Sequence, residues 1–195
     1  MRPRFILASG SPRRRQLLSE AGYEFETVSP PINEVAHAWL TIRELTIWNA
    51  ARKATRVSAT APDAVVLAAD TLVALDGEVL GKPSDLEDAT CIVRRLAGRA
   101  HEVWTAVCIH HASLRRSHNF YEMSRVHFRR LGEAAIRNYL AKIDPLDKAG
   151  AYAAQGHGQE IIKRIDGSYS NVVGLPMEKT KRALRSFGVT PGASD

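Results

Sequence analysis

The hydrophobic residues of this chain fall into short runs that are separated by polar turn signals. Phe5–Ala8 and Ala64–Asp70 are almost entirely apolar, which is typical of strands that are buried on both faces of a sheet. Because the second run closes with a carboxylate, we expect that strand to end at Asp70. Further strands are predicted at Phe25–Val28, His101–His111, His118–Phe128 and Glu160–Ile165.

Capping signals mark the starts of helices between these strands. Ser11 and Pro12 suit the N-cap and the first position of a helix. Thr41 and Glu44 form a capping box that opens a second helix, whose inward face we expect to hold Leu45, Trp48 and Ala51. Later helices are predicted from a second capping box at Ser84 and Glu87 through Leu96, over Gly132–Ile143, and from Pro176 to Ser186.

The order of these elements predicts a mixed-sheet α/β fold. Strands and helices alternate, but hairpins interrupt the alternation, and Asp76-Gly77 between two apolar runs is a strong hairpin signal. The 195 residues are enough for one domain, or for two closely packed lobes, with a real core. We expect a single domain over residues 1–195, with residues 188–195 as a frayed tail.

The composition and the lengths of the apolar runs bear on the cellular location of the protein. Hydrophobic residues at 45% and charged residues at 25% are ordinary values for a globular protein. No apolar stretch approaches the roughly 20 residues that a membrane-spanning helix needs. The apolar run near the N-terminus is too short for a signal peptide. We therefore interpret the protein as cytoplasmic, with no membrane partner.

The chain is basic, and this points to anionic partners. Its formal net charge is +6 and its pI is about 9.6. Such a protein attracts nucleic acid, anionic lipid and nucleotide phosphates. Composition does not separate the three.

The opening stretch "FILASGSPRRRQLL" is a candidate anion site. Ser9, Gly10 and Ser11 form a loop between a predicted strand and a predicted helix, and free N–H groups at a helix N-terminus bind anions. Arg13 lies in the first turn, where its guanidinium can form paired hydrogen bonds to a phosphate. Cations at this end of a helix face an unfavourable dipole, which a bound polyanion would reverse. The alternative is a solvated basic turn.

Three further positions are candidates for chemistry. Asp70 closes an apolar run, where α/β sheets place ligands, and it can hold Mg²⁺ or activate water; the alternative is a plain turn aspartate. Lys82 lies in "GEVLGKP", which is not an ATP-binding P-loop because its glycines are too close and Pro83 replaces the hydroxyl. Lys82 is either a phosphate contact or a solvated lysine. Gln155 offers a donor and an acceptor that suit a base edge.

Other chemistries find no support in the sequence. The histidines match no zinc-binding spacing. No G-x-S-x-G nucleophile elbow and no obvious Ser-His-Asp set occurs.

Seven stretches occur here in the order found in one family. They are "LASGSPRR", "AADT", "LDGEVLGKP", "LAGRAHEVWTAV", "DKAGAY", "QG" and "GSYSNVVGLP". The chain resembles the Maf-like nucleoside triphosphate pyrophosphatases, also called septum formation inhibitor proteins, from about Phe5 to Leu184. Seven motifs in order are far more specific than any one of them.

The resemblance implies a fold, an activity and a cofactor. The family fold is a mixed elongated sheet flanked by helices, with two lobes and a deep cleft, similar to inosine triphosphatase. Its members hydrolyse nucleoside triphosphates between the α and β phosphates by metal-assisted attack of water, and they use Mg²⁺ or Mn²⁺. Many are homodimers, so we expect a homodimer here.

The family's functional residues carry over to definite positions of this chain. Asp70 matches the proton acceptor for the attacking water, and Glu34 matches an acidic residue that follows the second strand. We expect Asp70, together with Glu34, to hold the metal. The phosphate-binding positions are Ser9, Ser11, Arg13, Lys53 and Lys82. The specificity positions are Arg13, Thr71 and Gln155. This set resembles the branch that prefers dTTP, UTP and modified pyrimidine nucleotides, whereas the 7-methyl-GTP branch has tryptophan, glutamine and glutamate there.

The chain departs from the family pattern in three places. Asn33 replaces the usual aspartate before Glu34, which weakens a metal role for that pair. Ala153 and Ala154 replace "GI" beside the glutamine, and we expect the smaller side chain of Ala154 to widen the base pocket. "WNA" at Trp48–Ala50 replaces the usual "RLA" before the helix lysine.

Two other functions compete with hydrolysis. One is a basic nucleic-acid-binding protein, suggested by "SPRRR", "SLRRS" and "HFRR"; low aromatic content and the absence of a nucleic-acid motif argue against it. The other is a regulatory inhibitor of septum formation and cell division that acts by protein contacts. We predict the pyrophosphatase, with a nucleoside triphosphate as its partner and no stable nucleic acid.

Overall fold

A computed structural model describes residues 3–30, 32 and 39–192. Its strands are β1 Phe5–Leu7, β2 Glu26–Thr27, β3 Val65–Leu75, β4 Glu78–Leu80, β5 Ala100–His111, β6 Arg116–Phe128 and β7 Ile162–Asp166. Its helices are α1 Pro12–Glu20, α2 Ile42–Ser58, α3 Leu86–Leu96, α4 Glu133–Leu140, α5 Gly158–Ile161, α6 Tyr169–Val173 and α7 Met177–Ser186. A single 3₁₀ turn at Ala149–Ala151 precedes α5.

The strands within these ranges form one mixed sheet. Its order is β2-β1-β3-β5-β6-β7, and β4 pairs with β3. β1 runs parallel to both β2 and β3, whereas β3 with β4 and β6 with β7 are antiparallel. Asp76 and Gly77 join β3 to β4, with Leu75 opposite Glu78. The predicted mixed α/β fold and this hairpin are confirmed.

The chain divides into two compact units. The first contains Met1–Asp70, Thr105–Glu122 and Gly174–Asp195, and the second contains Thr71–Trp104 and Met123–Val173. The prediction of a single domain over residues 1–195 stays a prediction.

The first unit has a hydrophobic core on each face of its strands. Along β3, Val65, Leu67 and Ala69 pack into one core, while Val66 and Ala68 pack into the other. Side chains alternate between the faces of a strand, so a strand that is covered on both faces must be apolar throughout. This explains the continuous apolar run that predicted β3. The second of these cores contains Ala50, Ala54 and Val57 of α2.

The second unit has a single large core. It joins the end of β3 and β4 to the inner faces of α3 and α4, and its members include Val73, Leu96, Phe128, Ile136 and Tyr139. Within this unit Gly150 adopts a φ of 70°, and a Cβ added there would meet the Val73 side chain at 3.0 Å. The glycine of "DKAGAY" is therefore required for close packing against β3.

Several element boundaries differ from the predictions. β3 continues through Asp70 to Leu75, because its last residues, Val73–Leu75, pair with β4 in the antiparallel hairpin. Asp85, not Ser84, caps α3, and its carboxylate accepts from the backbone N–H of Asp88 at 2.8 Å. The segment predicted as a strand from Glu160 begins instead with the short helix α5.

The tail predicted to begin at residue 188 is packed as far as residue 192. Val189 is buried in the first core, and the N–H of Gly192 donates to the carbonyl of Gly22 at 2.7 Å. These contacts fix the segment against the end of α1. The prediction of fraying from residue 188 is therefore wrong for residues 188–192.

The inward face of α2 also differs from the prediction. The capping box at Thr41 and Glu44 is present, and Leu45 is buried as expected. Trp48, however, is 51% exposed, while its neighbour Asn49 is buried. The helix is turned by about one residue relative to the predicted face, which places its polar residues Asn49 and Lys53 inward.

Candidate functional site

The register of the parallel strands places two predicted site segments at one edge of the sheet. Leu7 of β1 lies opposite Leu67 of β3, and the N–H of Ala8 donates to the carbonyl of Leu67 at 2.7 Å. Ser9 follows β1 directly, and Asp70 lies three residues beyond Leu67. Because parallel strands point the same way, the opening loop and Asp70 belong to the same edge of the first unit.

The alternation along β3 determines the direction of the Asp70 side chain. Asp70 shares its face with Val66 and Ala68, and this face packs on α2. Asn49 and Lys53 are four residues apart on α2, so they lie on one side of that helix, one turn apart. The sheet and the helix thus bring together a carboxylate, an ammonium and an amide.

These three residues form a buried polar group that we call the Asp70 cluster: Asn49, Lys53 and Asp70. The ammonium of Lys53 donates to Oδ1 of Asp70 at 2.6 Å, and Nδ2 of Asn49 donates to Oδ2 at 3.2 Å. Asp70 is 2% exposed and Lys53 is 9% exposed. Each carboxylate oxygen therefore has its own donor, and the carboxylate is fixed in one orientation.

Asn49 is the member of this cluster that was not predicted as a site residue. Its Oδ1 atom is buried and has no hydrogen-bond partner within the part of the chain that the structure describes. A buried amide oxygen normally has a partner, so this atom requires an explanation. The available sequence signal was the departure "WNA", which places a polar residue where the family pattern has leucine.

The opening loop is fixed by an arginine other than the predicted one. Nη1 of Arg14 donates to Oγ of Ser9 at 3.1 Å, and its Nε donates to the carbonyl of Gly174 at 2.8 Å. Oγ of Ser9 also accepts from the N–H of Ser11 at 3.2 Å. Arg14 thus positions the loop, while Arg13 lies half-buried in the first turn of α1. Ser11 is the N-cap as predicted, although its side chain makes no capping bond.

The remaining predicted residues belong to the second unit. Thr71 follows Asp70 in β3 and is half-buried, and Lys82 is exposed in the turn after β4. The carbonyl of Gly81 accepts from the N–H of Gly150 at 3.0 Å, so "GKP" lies beside "DKAGAY". Gln155 is half-buried in the following loop. Its neighbours Ala154 and Gly156 line a depression of about 450 Å³, together with Arg164 and Tyr169.

The second unit also buries a polar group, which we call the His101 cluster: His101, Phe128 and Tyr152. Nε2 of His101 lies 2.8 Å from the Tyr152 hydroxyl, and both side chains form edge contacts with the ring of Phe128. Burial lowers the pKa of His101 to about 3, with a smaller effect from the charge of His127. Burial also raises the pKa of Tyr152. Both groups are therefore neutral at ordinary pH.

The motif "DGSYSN" has a structural role in the same unit. Nδ2 of Asn171 donates to the carbonyl of Val103 at 3.0 Å and to Oγ of Ser124 at 2.9 Å. The N–H of Ser168 donates to the same Oγ at 3.0 Å. A Cβ at Gly167 would lie 2.8 Å from that oxygen, so only glycine fits there.

Among the described residues, no group of three or more His, Cys, Asp or Glu side chains could hold a metal ion. Asn33 and Glu34 lie outside the described residues, so the predicted role of Glu34 is not tested.

Within residues 3–30, 32 and 39–192, no helix is long and apolar enough to cross a bilayer.

The fold has a counterpart among solved structures. The chain is similar to the Ham1 protein of Staphylococcus aureus, with a TM-score of 0.52 and 14% sequence identity. The alignment covers 94% of this chain and 99% of that one. At 14% identity, this similarity shows only that the two proteins have the same class of fold.

The family is defined by the sequence comparisons. The model of the family described as Maf-like protein matches residues 4–187, and the chain belongs to this family. It is 42% identical over 186 residues to a dTTP/UTP pyrophosphatase of Bacillus pumilus, an alignment that covers 95% of this chain and 97% of that protein. It is 44% identical over 189 residues to a dTTP/UTP pyrophosphatase of Bacillus velezensis, with 97% and 99% covered. The predicted family is confirmed.

Proposed function

We propose that this protein is a nucleoside triphosphate pyrophosphatase that hydrolyses dTTP, UTP and modified pyrimidine nucleotides to the monophosphate and pyrophosphate. The observation that carries the proposal is the Asp70 cluster, a buried carboxylate with a separate donor on each oxygen. The similarity to relatives named dTTP/UTP pyrophosphatase supports the substrate class. Attack of water on a phosphate requires positioning and charge stabilisation rather than a covalent nucleophile.

Asp70 is the proton acceptor in this proposal. A carboxylate that takes a proton from water must face the water in a fixed orientation. The donor from Lys53 provides that orientation. The ammonium of Lys53 also supplies a positive charge beside the reacting phosphate.

The opening loop binds phosphate in this proposal. The hydroxyls of Ser9 and Ser11 and the guanidinium of Arg13 are the donors, and α1 begins directly after them. Arg14 holds the loop in place through Ser9. Lys82 is a further phosphate contact, carried by the family resemblance and by its exposed position.

The Asp70 cluster fits a divalent cation in its chemistry. Mg²⁺ and Mn²⁺ prefer oxygen ligands and usually retain water and substrate phosphates. The cluster offers a buried carboxylate beside an amide oxygen that has no hydrogen-bond partner among the described residues. Asp70 would hold the cation, with Glu34 as a second proposed ligand. Such a cation polarises a phosphate and lowers the pKa of bound water.

Base specificity is assigned to Arg13, Thr71 and Gln155. The amide of Gln155 can donate and accept, as the edge of a pyrimidine requires. The open space beside Ala154 agrees with a pocket that accepts modified bases. We also propose a cytoplasmic homodimer without a stable nucleic-acid or membrane partner.

The test is pyrophosphate release from a panel of triphosphates with Mg²⁺ or Mn²⁺. We expect the highest kcat/KM for dTTP and UTP and a much lower value for 7-methyl-GTP. Asp70→Asn should lower kcat by at least about 100-fold, because it removes the proton acceptor while keeping the size of the side chain.

Asp63→Asn is the matched control, since Asp63 is an exposed aspartate of the same unit. It should keep full activity, and circular dichroism should show both variants folded. Near-normal turnover by folded Asp70→Asn would contradict the role of Asp70. Equal rates on dTTP and 7-methyl-GTP would contradict the substrate class.

A further inference from the structure

The hydrogen bonds of Asn49 do not explain why this polar side chain is buried. It is 3% exposed on the inner face of α2, among the apolar residues Ala50 and Ala54. Its Nδ2 atom reaches Oδ2 of Asp70, but its Oδ1 atom has no partner among the described residues. Leucine would fill the same volume without burying an unpaired carbonyl. Hydrogen bonding alone therefore does not account for a polar residue here, and Asn49 is a candidate for a ligand interaction.

The spacing of Asn49 and Asp70 suits a shared cation. A half-turn about Cβ–Cγ exchanges the oxygen and nitrogen of an amide with little change in shape. The amide oxygen would then lie about where Nδ2 is now, 3.2 Å from Oδ2 of Asp70. Adjacent ligands of an octahedral cation with bonds of about 2.1 Å lie roughly 3.0 Å apart. The two side chains are thus spaced as neighbouring ligands of Mg²⁺ or Mn²⁺.

The charges of the cluster are compatible with this arrangement. The ammonium of Lys53 contacts Oδ1 of Asp70, whereas Asn49 lies at Oδ2, so the cation and the ammonium would use different oxygens. Asn49 adds an oxygen without adding charge. The ammonium of Lys53 already balances the charge of the Asp70 carboxylate. The charge of the cation would therefore be balanced by the substrate phosphates.

We propose that Oδ1 of Asn49 is a direct ligand of the divalent cation, next to Asp70. The inference rests on the proposed function for its role in hydrolysis, but the binding of a cation to these two side chains is a separate statement. Asn49 makes the metal affinity of this chain higher than leucine at the same position would.

The experiment measures Mn²⁺ binding by electron paramagnetic resonance, with Mn²⁺ alone and with the non-hydrolysable analogue α,β-imido-dUTP. In at least one of these conditions we expect Asn49→Leu to weaken Mn²⁺ binding by roughly tenfold or more. Asn49→Asp keeps an oxygen at the same place, so it should bind Mn²⁺ at least as tightly as the unchanged protein. Thr46→Val is the matched control, since it removes a buried hydroxyl from the same helix, and it should leave the affinity unchanged.

The outcomes separate this inference from the proposed function. Mn²⁺ affinity of Asn49→Leu within twofold of the unchanged protein in both conditions would overturn the inference, as would a tenfold loss in Asn49→Asp. A fall in kcat of Asn49→Leu without a change in Mn²⁺ affinity would make Asn49 a positioning residue only. If no triphosphate is hydrolysed by the unchanged protein, the proposed function fails, while the Mn²⁺ titrations still decide the role of Asn49.

Discussion

The two units bury polar groups of opposite character. In the first unit, the Asp70 cluster places an ammonium and a carboxylate 2.6 Å apart, with a neutral amide beside them. In the second, the His101 cluster pairs an imidazole with a phenol, and burial keeps both neutral by moving each pKa away from the ordinary range. Both groups are about equally inaccessible to water.

The two clusters differ in the free energy that it costs to bury them. A buried ion pair stabilises a fold no better than an apolar replacement in many proteins, because both ions lose their hydration. A neutral hydrogen-bonded pair among aromatic rings carries a smaller penalty. We infer that the Asp70 cluster is retained for chemistry and the His101 cluster for packing. Changes in the first should therefore affect turnover, and changes in the second should affect stability alone.

The largest effect is expected from Lys53→Met, which keeps the length of the side chain and removes its charge. Asp70 would be left as an uncompensated buried carboxylate. The free energy of unfolding should fall by roughly 3 kcal/mol, and kcat should fall by at least about 100-fold. Urea denaturation and pyrophosphate release measure the two effects.

Arg4→Met provides the control for this change. Arg4 and Glu26 are also 2.6 Å apart, but both side chains are more than half exposed. Exposed pairs of this kind contribute little to stability, so the variant should unfold and turn over like the unchanged protein. If Lys53→Met behaves in the same way as Arg4→Met, burial does not distinguish the two pairs.

A smaller effect concerns the pH dependence of stability through His101. Its pKa is lowered from 6.5 to about 3 in the folded protein. Below pH 6.5 the His101 side chain therefore binds a proton in the unfolded chain but stays neutral in the folded protein. The free energy of unfolding falls as the pH falls. This group should account for a loss of about 2 kcal/mol between pH 7 and pH 5.

His101→Gln removes this titration while keeping a polar partner for Tyr152. Its free energy of unfolding should therefore fall less between the two pH values than that of the unchanged protein. His118→Gln, at an exposed position of β6, should retain the full loss. An identical pH dependence in His101→Gln would show that the buried imidazole is not the source.

The smallest effect is expected from Tyr152→Phe. The change removes the hydroxyl that contacts Nε2 of His101, whose Nδ1 already lacks a partner among the described residues. The free energy of unfolding should fall by about 1.5 kcal/mol. Turnover by the folded fraction should not change, and steady-state kinetics well below the unfolding temperature tests this. A loss of kcat at unchanged stability would break the distinction between the clusters.

The sequence could predict the features that depend on neighbouring residues. The apolar runs predicted β1 and β3, the capping box predicted the start of α2, and Asp76-Gly77 predicted the hairpin. Each of these signals lies within a few residues of its effect. Asp70 and Lys53 were predicted through the family resemblance, and the structure places them in contact. The role of Glu34 stays a prediction.

The sequence could not predict the features that depend on distant contacts. Trp48 was expected to face inward because its spacing from Leu45 suits a helix, but the facing strand presents a carboxylate to its neighbour Asn49. That carboxylate lies 21 positions along the chain from Asn49, so no local pattern records the contact. The contact of Arg14 with the carbonyl of Gly174 was not predicted for the same reason, since the two residues lie 160 positions apart.

The placement of both donors to Asp70 on one helix has a consequence for insertions and deletions. One residue added between Glu44 and Asn49 would turn the following part of α2 by about 100° relative to its cap. Asn49 and Lys53 would then leave Asp70 together, although no residue had been substituted. Homologous proteins should therefore vary in sequence but not in length between the cap of α2 and Lys53. Insertions and deletions should occur instead after the helix ends at Ser58.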